Sequence, residues 1–120
     1  MSKKKIIDLS YLKEISNGDN MFMIELIDMF FEQIPEYQVL LKEFFDKKEW
    51  LSLGRTAHKA KSSIIMMGLN DLGKELKWLE ENAKEETNID HFKEIIAKFV
   101  CDSNQAIEEL KQARKEITKI

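Results

Sequence analysis

Among the residues able to carry chemistry, His58 has the most informative setting. It stands in the segment Trp50-Leu-Ser-Leu-Gly-Arg-Thr-Ala-His-Lys-Ala-Lys-Ser-Ser-Ile-Ile-Met-Met-Gly68. Wound as an α-helix, this segment gathers Trp50, Leu53, Ala57, Ala60, Ile64 and Met67 on one side, and His58 falls roughly opposite. Its neighbours three and four residues away are Gly54, Arg55, Lys61 and Ser62. The imidazole is thus offered to solvent between small residues and cations. A histidine that merely served the core would lie on the apolar side. An exposed imidazole is a nucleophile near neutral pH, and Arg55 and Lys59 add a positive field around it.

The other chemistry-bearing residues read more plainly. His91 sits beside Asp90 in the first turn of a later helix and reads as a solvated surface residue. Cys101 falls beside an apolar stripe and reads as a small packed thiol; as the single cysteine it has no internal disulfide partner. The sequence shows no metal-ligand cluster, no phosphate-cradling glycine loop and no second nucleophile.

Five helical segments are needed to position these residues. Asp8 or Ser10 caps a short first helix that Asn17-Gly18 closes. Asp19 or Asn20 caps a long second segment to about Asp46, with Phe22, Leu26, Phe30, Gln33, Tyr37, Leu40, Leu41 and Phe44 on one stripe. Pro35 lies inside it, so a kink or break is expected near Gln33. The third helix, from about Lys48 to Met67, carries His58. Asn70 caps a fourth, with Leu69, Leu72, Leu76, Leu79 and Ala83 on one side. Thr87 or Asn88 caps a fifth, in which Phe92, Ile96, Phe99, Ser103, Ala106, Leu110, Ala113, Ile117 and Ile120 alternate steps of four and three. Short connections make consecutive helices antiparallel. The expected fold is all-α: an antiparallel four-helix bundle with a short additional N-terminal helix, one domain over residues 1–120.

Two apolar features do not fit a minimal core. Ile65 projects on the His58 side, and Ile24 and Phe31 lie off the centre of the second-helix stripe. The first helix, with Leu9 and Leu12, can cover the second-helix pair; otherwise these residues form a docking patch. Trp78 points away from the fourth-helix stripe, towards either a helix junction or solvent.

Composition narrows the function classes. The net charge of −3 argues against general nucleic-acid binding, which needs a basic surface. No run of apolar residues is long enough to cross a membrane, and the chain starts without a signal-like apolar stretch, so a cytoplasmic location is expected. One proline and four glycines leave little room for the turns of an all-β fold.

Ala57-His58-Lys59-Ala60-Lys61-Ser62-Ser63, followed by Gly68-Leu69, resembles the signature of histidine-containing phosphotransfer (HPt) domains. That signature is His-x-x-Lys-Gly-Ser with a second glycine ten residues after the histidine. The opening from Asp8, the Gly18-Asp19 before the second helix and Pro35 within it are also similar, so the resemblance covers roughly residues 8 to 115. One departure is plain: Ser62 stands where the family has a glycine that lets the partner come close to the ring. Serine narrows that access, and its hydroxyl can bond a phosphoryl oxygen.

The resemblance implies a phosphorelay. His58, through Nε2, would take a phosphoryl group from an aspartyl phosphate on a response-regulator receiver domain and pass it on. Lys61, one turn further, would neutralise phosphoryl charge. Glu80, 22 residues after the histidine, occupies the family position whose side chain holds the other ring nitrogen. Gly54, Arg55, Lys59, Ser62 and Ile65 would meet the partner, a receiver domain or a hybrid sensor histidine kinase. The implied protein is a phosphocarrier without independent turnover. It needs no cofactor of its own, Mg²⁺ belonging to the partner receiver, and it binds neither nucleic acid nor membrane. The competing readings are a phosphoacceptor fed directly by a kinase's ATP-binding domain, and a structural helical adaptor in which His58 is never phosphorylated.

Overall fold

A computed structural model of the chain describes residues 4–119, and all regular structure among them is helical. The helices are α1 (Ser10–Ser16), α2 (Asn20–Asp46), α3 (Trp50–Met66), α4 (Asn70–Glu85) and α5 (Phe92–Thr118), with a 3₁₀ turn at Ile89–His91 leading into α5.

Local chemistry explains most of the boundaries. Asn17 in the left-handed region and Gly18 at φ 75° close α1, and the Gly18 amide donates to the Lys13 carbonyl. Asp19 then caps α2 by accepting from the amides of Met21 and Phe22. At the start of α1 the Asp8 carboxylate accepts from the Ser10 amide at 2.9 Å. The third helix begins two residues later than expected because Lys48 is left-handed, at φ 57°. Two expected caps are replaced. Asn70 is itself the first residue of α4 and makes no capping bond. Thr87 and Asn88 both donate to the Asn82 side-chain oxygen, at 2.8 Å each, and so tie down the α4–α5 connection instead.

Cross-helix contacts give the bundle its directions. Gln33 meets Ser63 between α2 and α3, and the cavity there also joins Leu26 and Met29 to Met66. Glu75 meets Lys98 between α4 and α5, where Trp78 also meets Phe92. Between α5 and α2, Ser103 meets Gln38 and Arg114 meets Asp28. On α3 and α4, His58 meets Glu80 while Ile65 lies against Gly73. In each pair the numbers rise on one helix as they fall on the other, so the neighbours are antiparallel.

The core is continuous through all five helices. Leu12, Ile27, Ile34, Leu41, Leu53, Ala57, Ala60, Ile64, Leu76, Leu79, Phe92, Phe99, Ala106 and Leu110 are fully buried. The expected stripes of α3, α4 and α5 are the buried ones except at Trp50, Ala113 and Ile117, which are half-buried; Ile120, expected at the end of the last, lies outside the described residues.

On α2 the stripe is rotated by one position. Met23, Ile27, Phe30, Ile34 and Leu41 are buried, whereas Phe22 is 41% exposed. Phe22/Met23, Leu26/Ile27, Met29/Phe30 and Leu40/Leu41 are adjacent apolar pairs, so the sequence presents two neighbouring stripes. Gln38 takes the polar place on the buried one, donating at 2.8 Å to Ser103, itself wholly buried on α5. Nor does Pro35 break the helix. It lies on the exposed face, and α2 runs through it for 27 residues.

The Trp78 indole covers the α4–α5 junction, edge-on to Phe92 and His91. Cys101 is exposed rather than packed. Ile24 and Phe31 are half-buried, Phe31 against the core, and Leu12 of α1 is fully buried in that core.

Candidate functional site

The site grows from the middle of α3. Leu53, Ala57, Ala60 and Ile64 turn inward and are fully buried, which leaves His58 on the outer face with its side chain 58% exposed. Arg55, Lys59 and Ser62 surround it and are exposed as well. Gly54 is buried against α4 and lines the groove that borders the imidazole.

The fourth helix supplies the partner of the ring. Leu76, Leu79 and Ala83 face the core, and this orientation turns Glu80 towards α3. Its carboxylate spans the gap to His58 Nδ1, at 3.1 Å from Oε1 and 3.0 Å from Oε2. A carboxylate only accepts hydrogen bonds, so the nitrogen facing it carries the proton. In the neutral ring Nε2 then keeps its lone pair, directed away from Glu80. Lys61 approaches the same carboxylate, with Nζ 3.6 Å from Oε1 and only 20% of its side chain exposed. Sequence reasoning placed Lys61 beside the ring and Glu80 within reach; the structure brings all three together around one carboxylate.

Two grooves flank His58. One, of about 490 Å³, runs between α3 and α4 and is lined by Leu51, Gly54, Arg55, Lys59, Glu81 and Lys84 together with His58 and Glu80. The other, of about 90 Å³, lies between α2 and α3 and joins Ser62 to Leu26, Met29, Gln33 and Met66. Ile65, 37% exposed, sits over Gly73 on α4 and borders a third depression beside Tyr11 and Glu14 of α1.

Leu51, Glu81 and Lys84 had not been singled out from the sequence. The signal for Leu51 was available: Leu51, His58 and Ile65 are spaced by seven residues, which puts all three on one helix face. Lys84 follows Glu80 by one turn. No group of histidine, cysteine and carboxylate side chains able to hold a metal ion occurs among the described residues.

A family model described as the Hpt domain matches residues 25–116. The chain belongs to the Hpt family. Membership carries histidine phosphotransfer within two-component phosphorelays, and the helical bundle is the fold of such domains. The match begins inside α2, so α1 and the segment before it lie outside it. Neither a curated relative nor a solved structure matched the chain. No helix of this Hpt chain is long and apolar enough to cross a membrane, among the described residues.

Proposed function

We propose that this Hpt chain is a phosphocarrier whose acceptor is Nε2 of His58. The observation that carries the proposal is the Nδ1–Glu80 hydrogen bond on an otherwise exposed ring. It fixes which nitrogen is protonated and leaves the other as a nucleophile facing solvent.

In the reaction the Nε2 lone pair attacks phosphorus of an aspartyl phosphate on a receiver domain. The P–O bond to the aspartate breaks as the N–P bond forms, and the aspartate departs as a carboxylate. The ring keeps its Nδ1 proton, so it becomes cationic at the moment Glu80 faces it. Glu80 therefore stabilises the phosphorylated ring more than the free one, which assists uptake. Lys61 lies one turn beyond His58 and supplies a compact cation for the phosphoryl oxygens. The return reaction hands the group to a second receiver. Mg²⁺ and the acceptor aspartate belong to the partner, the chain needs no cofactor of its own, and it turns over no substrate alone. The relay operates in the cytoplasm, with receivers and a hybrid sensor kinase as partners.

The partner docks around the ring over Arg55, Lys59, Ser62 and Ile65; Gly54, expected to meet it as well, is buried against α4 beneath that surface. Arg55 and Lys59 give the approach its charge selectivity, and Ser62 sits at the lip of the α2–α3 groove. Labelled phospho-receiver, incubated with the full chain, tests the reading. The expected product is an acid-labile, base-stable label on the wild type and none on His58→Gln. Absence of label on the wild type from a receiver, but its appearance with a kinase and ATP, identifies direct feeding by a kinase. Absence with both leaves a structural adaptor.

A further inference from the structure

Two glycines stand inside helices on the seam between α3 and α4. Gly54 on α3 and Gly73 on α4 are both buried, and glycine is a poor helix former. Their surroundings show what the missing side chain permits. A Cβ at position 54 would stand 3.3 Å from the backbone oxygen of Glu80, 3.9 Å from its Cα and 3.4 Å from the Cβ of Ala83. The residue on which Gly54 rests is therefore the one whose carboxylate holds His58. At the other end of the seam, a Cβ at position 73 would fall 2.6 Å from Cγ1 of Ile65. His58 lies between these two close approaches, and Glu80 stands at the first of them.

We propose that Gly54 is a positioning residue for His58: its bare backbone lets α4 approach α3 until the Glu80 carboxylate reaches Nδ1. Gly54 precedes His58 by one turn on the same helix, and the Glu80 atoms nearest to its missing Cβ are the backbone oxygen and Cα. A methyl group there needs a few tenths of an ångström of room. α4 supplies it by moving outwards, and Glu80 moves with it. The Nδ1 contacts of 3.0 and 3.1 Å then lengthen towards the range where a hydrogen bond weakens steeply. The close packing of Ile65 over Gly73 restrains α4 at the far end, so the displacement falls on the segment carrying Glu80. The geometric part stands on contacts alone; its consequence for phosphoryl transfer rests on the phosphocarrier reading.

The test crosses Gly54→Ala with Glu80→Ala in the full chain. Two quantities are read: the tautomer ratio of the His58 ring by ¹⁵N NMR, and the rate of label uptake from a phospho-receiver. Gly54→Ala should move the tautomer ratio towards that of Glu80→Ala and slow uptake by about 3- to 10-fold, the range for loss of one hydrogen bond. In the Glu80→Ala background the same substitution should change neither quantity. Gly54→Ala/Ala83→Gly removes the neighbouring Ala83 methyl, giving the new side chain room to shift away from the Glu80 oxygen, and should recover part of the wild-type ratio; it carries the test if the single variant does not fold. A wild-type tautomer ratio in Gly54→Ala overturns the proposal. So does an equal slowing with and without Glu80, which would place the effect at the partner's approach. If the wild type takes up no label at all, the phosphocarrier reading fails, and the tautomer measurement still decides the role of Gly54.

Discussion

At the scale of single residues, the exposure of His58 separates its function from the stability of the fold. The core beneath it is made by Ala57, Ala60 and Ile64, all fully buried, and the ring adds only its bond to Glu80. His58→Gln should therefore abolish label uptake while changing stability by no more than about 0.5 kcal/mol, the range for surface substitutions away from special features; urea unfolding beside the transfer assay checks both halves. His91→Gln should leave transfer intact, because His91 is exposed against Trp78 on a different helix. Lys61→Ala should give an intermediate result, with the acceptor present but uptake slower or the phosphohistidine shorter-lived. Quench-flow uptake and label decay distinguish those two. The position of His58 was legible because one helical stripe is uninterrupted in its segment. Glu80 was reachable through the family's spacing together with its place on the flank of the Leu72/Leu76/Leu79 stripe, from which it can reach across to α3. Cys101 was misplaced because a residue beside a stripe can tilt either way, and here it tilts to solvent.

At the scale of elements, the segment before α1 does work that the sequence did not announce. The amides of Ile6 and Ile7 both donate to the Glu109 carboxylate of α5, at 2.9 and 3.1 Å to Oε1. Gln105 donates to the Lys4 carbonyl at 2.7 Å, and the Asp8 amide donates to the Met67 carbonyl at 3.0 Å. The segment thus fastens α5 to the α3–α4 connection across one end of the bundle. Gly68 makes that crossing possible: its φ is 86°, and a Cβ there would fall into the backbone of Asp8. The glycine ten residues after His58 was recognisable as part of a motif, but its physical reason lies some 60 residues away in sequence, on Asp8. Gly68→Ala combines a left-handed backbone with that steric overlap. It should destabilise the chain by about 2 kcal/mol or more, seen as a lower thermal midpoint, with His58 still able to take up label at low temperature. The rotated stripe of α2 has a similar origin. Two adjacent apolar stripes compete, and Ser103 on α5 decides between them by offering Gln38 a buried partner.

At the scale of the whole molecule, ion pairs cross the seams that the α3–α4 packing does not close. Glu75 meets Lys98 at 3.0 Å between α4 and α5. Asp28 receives both Nε and Nη2 of Arg114, at 2.7 and 3.0 Å, between α2 and α5. The paired guanidinium bonds are the first cause that holds the Asp28 carboxyl below its ordinary value of 3.8. A carboxyl lowered in the folded state binds its proton more readily once the chain unfolds. Its stabilising contribution is therefore complete above the ordinary aspartate range and is lost as pH falls through the lowered folded value. Both side chains are partly exposed, at 38% for Arg114 and 46% for Asp28, so solvent screening keeps the contribution to about 0.5 kcal/mol. Asp28→Asn should accordingly be less stable than the wild type by that amount at neutral pH. The difference should persist down to about pH 4 and vanish below the folded value of Asp28. Raising the salt to about 1 M should shrink it at neutral pH. Urea unfolding of both proteins between pH 2.5 and 7 supplies the comparison. A stability difference that grew towards acid pH would mean that the α2–α5 seam does not draw on this pair.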